Sequence, residues 1–180
     1  MIIIARTYFR TAQICTDGHI INGSMEDNPE LNKNYCHLCS SKVISECSVC
    51  HTKIQGDYYG DYEIPFDIKS GKTETRQEII HKLTEAPAYC YECGSPFPWT
   101  ETRLQYGQNI VDSLDEISPE LKKNFKELLP DIITESPRTE YATLIAAKII
   151  TSTQGYGYEC LKSWLMKNAV QLVLAIIKNL

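Results

Sequence analysis

CHLCSSKVISECSVC, residues 36–50, contains two Cys-x-x-Cys pairs, Cys36 with Cys39 and Cys47 with Cys50. Two residues between cysteines allow a tight turn to direct both thiolates at one ion, while backbone amides of the turn hydrogen bond to the sulfurs. In a reducing cytosol such pairs bind metal far more often than they form disulfides. The stretch therefore predicts metal binding, and the way its turns pair decides the architecture of the first half of the chain.

Further residues complete the ligand count for two zinc ions. Zinc takes four ligands at tetrahedral corners, with sulfur at about 2.3 Å and nitrogen at about 2.0 Å. A third pair, Cys90 with Cys93, brings the count to six, and CTDGH adds Cys15 and His19, with Gly18 to relax the turn. We therefore predict two structural Zn²⁺ ions. The eight predicted ligands are Cys15, His19, Cys36, Cys39, Cys47, Cys50, Cys90 and Cys93.

Three pairings of these four ligand turns are open. In chain order, the turns begin at Cys15, Cys36, Cys47 and Cys90. Sequential pairing joins the first turn with the second across a 16-residue loop, and the third with the fourth. A cross-braced arrangement joins the first with the third and the second with the fourth. Closing the second turn on the third would require a whole hairpin within the seven residues SSKVISE. We expect the sequential pairing.

The remaining cysteine and histidines are predicted to lie outside the metal sites. Cys160 has no partner nearby in sequence, so we expect a small buried hydrophobe. His37 lies inside a ligand turn and His51 directly follows one, and either could replace His19 as a ligand. His81 is expected on the surface of a helix.

Residues 1–100 are predicted to form a zinc-ribbon-type β domain, in which residues 51–89 are inserted between the third and fourth turns. Within this insertion, residues 53–68 are rich in tyrosine and glycine and predict the strands of an aromatic flap. SGKT then turns the chain. TRQEIIHKL favours a short helix, with Thr75 and Glu78 as its capping box.

Residues 101–180 contain no Cys-x-x-Cys pair and show helical periodicity, which predicts a four-helix C-terminal domain. The predicted starts are Thr100, Ser118-Pro119, Ser136-Pro137 and about Glu159. The last helix, through Lys178, carries an apolar stripe formed by Leu161, Trp164, Leu165, Leu172, Val173, Ile176 and Leu180. The stripe is typical of bundle core, with a homodimer contact as the alternative. The predicted class is α+β, a β domain with two structural zinc sites followed by a small α-helical bundle.

The chain is expected to be cytoplasmic. Its most apolar segment, AVQLVLAII, has nine residues, whereas a helix that spans a bilayer needs about 20. The start, MIIIARTYFR, places basic residues after a short apolar patch, the reverse of a secretory signal.

Several stretches resemble a family of uncharacterised bacterial zinc-ribbon proteins over nearly the whole chain. They are AQICTDGHIIN, YCHLCSSKVI, CSVC, PAYCYECGSPFPWTE and ESPRTEYATLIAAKI. The family is a domain of unknown function, so the resemblance implies a fold and a metal but no activity. One departure concerns the turns, where glycine usually follows the second cysteine because φ is positive there. Only Gly94 fits, while Ser40 and His51 occupy the other two positions.

Three functions are consistent with two zinc sites, and we favour a protein–protein interaction module or adaptor. Its candidate contact residues are the aromatics Tyr58, Tyr59, Tyr62 and Trp99. Nucleic-acid binding is the alternative, but the net charge is −5 and no basic run occurs. A local basic patch could still form from Arg6, Arg10, Lys33, Lys42 and Lys53. A zinc hydrolase is less favoured, because the ligand count closes both sites and no His-Glu-x-x-His element exists.

Overall fold

The computed structural model describes residues 3–67 and 72–178. The chain divides into two compact units, Met1–Trp99 and Thr100–Leu180. Residues 68–71, which include the end of the expected flap and part of the SGKT turn, lie outside the described residues, as does Leu180 of the apolar stripe. The predicted α+β class is confirmed, since the first unit contains two small antiparallel sheets and the second contains helices.

Within residues 3–67 and 72–99, the first unit forms two three-stranded antiparallel sheets. Its strands are β1 (Ile3–Thr11), β2 (Gln13–Cys15), β3 (Ile20–Asn22), β4 (Val43–Ile44), β5 (Gln55–Asp67) and β6 (Lys72–His81). The large sheet has the order β1-β5-β6, and the small sheet has the order β3-β2-β4. A short 3-10 helix, Pro29–Leu31, lies in the loop between β3 and β4. The small sheet carries the first ligand turn between β2 and β3.

The short helix predicted for TRQEIIHKL is wrong, because residues 72–81 form strand β6. β6 pairs with β5 in a register that places Ile79 opposite Tyr59 and Arg76 opposite Tyr62. An isolated helix of nine residues is marginal in water, whereas the ladder with β5 satisfies backbone groups along the strand. Thr75 and Glu78 therefore fit a capping pattern that the tertiary pairing overrides.

The hydrophobic core of the first unit is small and includes two of the predicted ligands. Among the described residues it consists of Ala12, Ile14, Cys47, Ile54, Cys90, Phe97 and Trp99. The rings of Phe97 and Trp99 stack with centroids 4.8 Å apart, and the Trp99 indole donates a 2.8 Å hydrogen bond to the Pro87 carbonyl. Trp99 and Tyr59 are buried, so neither serves as the contact surface that the sequence predicts for them.

The described residues of the second unit form five helices rather than the predicted four. They are α1 (Pro98–Asp112, which begins at the end of the first unit), α2 (Pro119–Ile133), α3 (Thr139–Ser152), α4 (Gly155–Asn168) and α5 (Gln171–Ile177). The predicted last helix breaks because the Val170 amide donates a 2.9 Å hydrogen bond to the Ile132 carbonyl at the end of α2. The Asn168 side chain bonds to the Trp164 carbonyl and ends α4.

The helix starts agree with the sequence only in part. Ser118 caps α2 as predicted, since its side chain accepts a hydrogen bond from the Leu121 amide. Helix α3 begins at Thr139, later than Ser136-Pro137 suggests. The Ser136 hydroxyl accepts a hydrogen bond from the Arg138 amide, which precedes the helix, and donates one to the Asp131 carboxylate. Helix α1 begins at Pro98, before the predicted cap at Thr100.

The apolar stripe of the C-terminal segment is used mainly inside the helical core. Its members Leu161, Trp164, Leu165 and Val173 are buried. Leu172 and Ile176 are 40% and 38% exposed and are the remaining described members. Among the described residues, no helix has both the length and the apolar character that a membrane span requires.

We expect Gly107→Ala to destabilise the helical unit by about 1 kcal/mol. A Cβ at Gly107 would lie 2.6 Å from Cζ2 of the buried Trp164 ring, and such overpacking costs about 1–3 kcal/mol. Helix propensity alone would favour alanine by about 1 kcal/mol. Denaturant unfolding measures the net effect.

Gln105→Ala on the exposed side of the same helix is the control and should change the free energy of unfolding by less than about 0.5 kcal/mol. A Gly107→Ala protein that is more stable than the wild type would contradict the described packing.

Candidate metal centres

The structure brings the eight predicted ligands together in two groups of four. The first group is Cys15, His19, Cys36 and Cys39, and the second is Cys47, Cys50, Cys90 and Cys93. Within each group, one potential ligand atom from every residue lies within 4.8 Å of the others. The turns are therefore joined in the sequential order, first with second and third with fourth.

The first group has the dimensions of a tetrahedron around a zinc ion. With Zn–S at about 2.3 Å and Zn–N at about 2.0 Å, a regular tetrahedron has edges of about 3.8 Å between sulfurs and about 3.5 Å between sulfur and nitrogen. The Cys15 and Cys39 sulfurs are 3.7 Å apart. His19 Nδ1 lies 3.5 Å from the Cys15 sulfur, 3.7 Å from that of Cys36 and 3.4 Å from that of Cys39.

The second group has matching dimensions with sulfur at all four corners. The sulfurs of Cys47 and Cys93 are 3.7 Å apart, and those of Cys50 and Cys90 are 3.6 Å apart. A disulfide would require about 2.0 Å, and all four cysteines are free thiols. Seven sulfurs and one imidazole nitrogen form a donor set suited to zinc, which accepts both ligand types. Both groups therefore fit a tetrahedral divalent cation.

Three of the four ligand turns repeat one backbone pattern. In each turn, the first cysteine amide donates to the carbonyl five residues later, through Cys36 to Ser41, Cys47 to Thr52 and Cys90 to Ser95, at 2.8–2.9 Å. The carbonyl of the same first cysteine accepts a hydrogen bond of 2.8–3.0 Å from the amide four residues later, which belongs to Ser40, His51 or Gly94. An outer hydrogen bond of 3.0 Å closes each turn, from Val43 to Asn34, Ile54 to Ser45 and Phe97 to Ala88.

This threefold repeat is a feature that the sequence reasoning missed. The aligned segments read NYCHLCSSKV, SECSVCHTKI and AYCYECGSPF. A hydroxyl residue five positions after the first cysteine, and an apolar residue two positions later, recur in all three segments. That spacing would have predicted equivalent turns from the sequence.

The residue after the second cysteine adopts a positive φ in all three turns, although only one is glycine. Ser40 and His51 both have φ of 59°, and Gly94 has φ of 71°. The left-handed conformation costs a non-glycine residue roughly 1–2 kcal/mol. The turn geometry is thus kept at the two positions where the sequence departs from glycine, and the rest of each site must offset that strain.

Backbone amides donate hydrogen bonds to three of the sulfurs. The amide of Leu38 donates to the Cys36 sulfur and that of Val49 to the Cys47 sulfur, both at 3.4 Å, and the His19 amide donates to the Cys15 sulfur at 3.3 Å. Such donors offset the negative charge of a bound thiolate and fix its direction.

The second group places thiols of different acidity side by side. Hydrogen bonds from the Ser95 side chain and backbone lower the pKa of Cys93 to about 6. The amides of Cys93 and Glu92 favour the Cys90 thiolate, but burial and the neighbouring sulfurs outweigh them and raise the pKa of Cys90 to about 11. Sulfurs this close compete for negative charge, and a central cation removes that competition.

The other candidate residues lie outside both groups. His37 and His81 are exposed, and His81 lies on strand β6 rather than on a helix. His51 is exposed and its Nδ1 lies 3.4 Å from a Glu46 carboxylate oxygen. Cys160 is half-buried against the helical core, so the expectation of full burial is met only in part.

A buried carboxylate supports the first unit and was not recognised from the sequence. Asp57 accepts 2.8 Å hydrogen bonds from the Ser24 hydroxyl and from the Leu83 amide. The Ser24 hydroxyl also lies 3.1 Å from the Tyr59 hydroxyl. Asp57 thus joins the loop after β3, strand β5 and the segment after β6, a role that no local pattern could indicate.

Fold and sites together define a mixed α+β protein with two cysteine-based clusters that could hold zinc. The chain belongs to the bacterial family described as "uncharacterized protein conserved in bacteria" (DUF2321), whose family model matches residues 8–177. The resemblance inferred from the sequence is therefore confirmed over nearly the whole chain. Comparison with curated proteins and with solved structures gives no match.

We expect Gly94→Ala to destabilise the zinc-loaded protein by about 1–2 kcal/mol, because alanine must adopt the left-handed conformation. A Cβ at this position would meet no heavy atom within 4 Å, so the loss reports backbone strain alone. Chemical denaturation in the presence of zinc measures it.

Ser40→Gly at the equivalent position of the second turn is the matched control. Glycine at position 40 relieves the strain of the left-handed conformation, but it costs about 0.4–1 kcal/mol by raising the conformational entropy of the unfolded chain. The two effects offset each other, so we expect little change in the free energy of unfolding. A Ser40→Gly variant destabilised as much as Gly94→Ala would show that the two turns are not equivalent.

Proposed function

We propose that this protein binds two structural zinc ions, and that the zinc-organised first unit acts as a protein–protein interaction module or adaptor. The observation that carries the metal proposal is the set of interatomic distances in the two groups. Six separations between 3.4 and 3.7 Å match the edges of zinc tetrahedra, about 3.5–3.8 Å.

A structural role is favoured over a catalytic one because each group supplies four protein ligands. A catalytic zinc keeps one position for water and has three protein ligands. Structural zinc can contribute about 10–16 kcal/mol to the folding of small ribbons. The small core of the first unit, in which two of the seven residues are cysteines of the second group, makes such a contribution necessary.

The adaptor proposal is supported by apolar side chains exposed on the ligand turns. Tyr35 and Leu38 are each 66% exposed, Val49 is 65% exposed and Tyr91 is 59% exposed. The metal fixes the backbone beneath these side chains, so they lose little additional freedom when a partner binds. A partner protein with an apolar contact surface is the kind of ligand that such side chains suit.

Nucleic-acid binding is less well supported, because most of the candidate basic patch is already neutralised. Arg6 pairs with Asp61 at 3.3 Å, Arg10 with Asp27 at 2.7 Å and Lys53 with Glu46 at 2.8 Å. Phosphate binding relies on clustered, available cations.

The thiol state of the cysteines suits the reducing cytoplasm, which is the compartment that we propose.

Metal content tests the two-site proposal directly. We expect about two zinc ions per chain in the wild type and about one in each of Cys36→Ser and Cys90→Ser, because each substitution removes one of the four ligands of a single site. Elemental analysis of purified protein provides the count. Cys160→Ser is the matched control and should retain both ions, since Cys160 belongs to neither group.

Loss of both ions in either single variant would contradict independent sites, and a wild type without zinc would contradict the proposal altogether.

Removal of the metal should unfold the first unit and leave the helices folded. The helical core, which includes Phe125, Leu161 and Trp164, contains none of the predicted ligands. Hydrogen exchange after chelation should therefore show loss of protection in residues 3–67 and 72–97, with α2 and α3 still protected. Re-addition of zinc is the control. Retained protection of β2 and β4 without metal would argue against a structural role.

A further inference from the structure

Strand β6 lies at an edge of the large sheet, with β5 on one side only. In an antiparallel pair, every second residue directs its N–H and C=O groups away from the partner strand. No backbone hydrogen bond between described residues joins β6 to a segment other than β5. Every side chain from Thr75 to His81 is exposed. The outer edge of β6 is therefore available to another strand.

This edge lacks most of the features that prevent strands from associating. Natural edges are usually short, or contain proline, lysine or a bulge. β6 has 10 residues and no proline, and its one lysine, Lys72, is its first residue. Its register with β5 is continuous from Glu74 to Ile79, and the register shifts lie at the two ends of the pairing. Its central charges are Arg76 and Glu78, whose side chains form a 2.9 Å ion pair on one face of the strand.

The order of these charges matches a second copy of the same strand. In an antiparallel pair centred on Gln77, Gln77 faces its own copy and Arg76 faces Glu78 twice. Arg76 and Glu78 of both copies then lie on one face with unlike charges opposite each other, and opposite charges placed across a strand pair stabilise it. A pair centred on Arg76 or on Glu78 would instead place like charges directly opposite, which is destabilising. A pair centred on Thr75 would also oppose unlike charges, but it would join only residues 72–78 of each copy, whereas the pair centred on Gln77 joins residues 73–81. Charge order together with the longer overlap therefore favours the register centred on Gln77.

We propose that β6 is a homodimer interface, in which two copies of the chain join their large sheets edge to edge through an antiparallel β6–β6 pair centred on Gln77. The pair would extend two three-stranded sheets into one six-stranded sheet related by a twofold axis. The inference goes beyond the proposed function and uses no feature of the two metal centres.

Charge reversal tests the proposed register. Sedimentation velocity over a concentration series of the zinc-loaded full chain should show a monomer–dimer equilibrium. Arg76→Glu or Glu78→Arg alone should weaken the dimer by roughly tenfold, because each places like charges opposite one another at two symmetric positions. The double variant R76E/E78R should restore it. Arg103→Glu, an exposed position in α1, is the matched control and should leave association unchanged.

Cysteine cross-linking tests the position of the twofold axis. Opposite residues in an antiparallel pair have Cα atoms about 4.5–5.5 Å apart, within the about 4.4–6.8 Å that a disulfide requires. In a Cys160→Ser background, Gln77→Cys should therefore form a disulfide-linked dimer under mild oxidation. Thr75→Cys should not, because the two substituted positions would be roughly 14 Å apart.

Three results would overturn the proposal. The first is a monomer at every concentration, and the second is a dimer that tolerates both single charge reversals. The third is equal cross-linking at positions 75 and 77. If β6 pairs only with an added extended peptide, the chain will stay monomeric at every concentration. If the chain associates through its C-terminal helix, the dimer will tolerate both charge reversals.

Discussion

The fold of the first half of this protein depends on bringing metal-ligating atoms, mostly cysteine sulfurs, close together. Seven cysteine sulfurs and one imidazole nitrogen are gathered in two sets of four, with separations of 3.4–3.7 Å. Thiolates at this distance repel one another, and the repulsion becomes attraction only around a central cation. The ligand turns, the small sheet and the few apolar residues beside them are arranged around these two points.

The two units are stabilised in different ways. The helical unit buries a core of aliphatic and aromatic side chains, including Phe125, Leu129 and Leu165, and has no predicted ligand in it. The first unit buries few apolar residues and extends a three-stranded sheet whose outer strand β6 is exposed. The exposed edge of β6 and the exposed apolar side chains on the ligand turns are the features on which the proposed recognition role depends.

Local spacing was sufficient to predict the residues that form the two clusters, but features that depend on distant residues were beyond the sequence. The Cys-x-x-Cys turns form over a few residues, so their positions and the sequential grouping could be predicted. Strand β6 could not, because only its pairing with β5 distinguishes it from a short helix. The break between α4 and α5 depends on Ile132, far away in sequence. The positive φ of Ser40 and His51 shows the turn geometry overriding residue preference.

X-ray absorption at the zinc edge of the purified protein tests the central claim most directly. With seven sulfurs and one nitrogen shared between two ions, the averaged shell should be dominated by sulfur at about 2.3 Å, with a minor nitrogen component at about 2.0 Å. A shell dominated by oxygen or nitrogen at about 2.0 Å, without the sulfur distance of about 2.3 Å, would contradict the account.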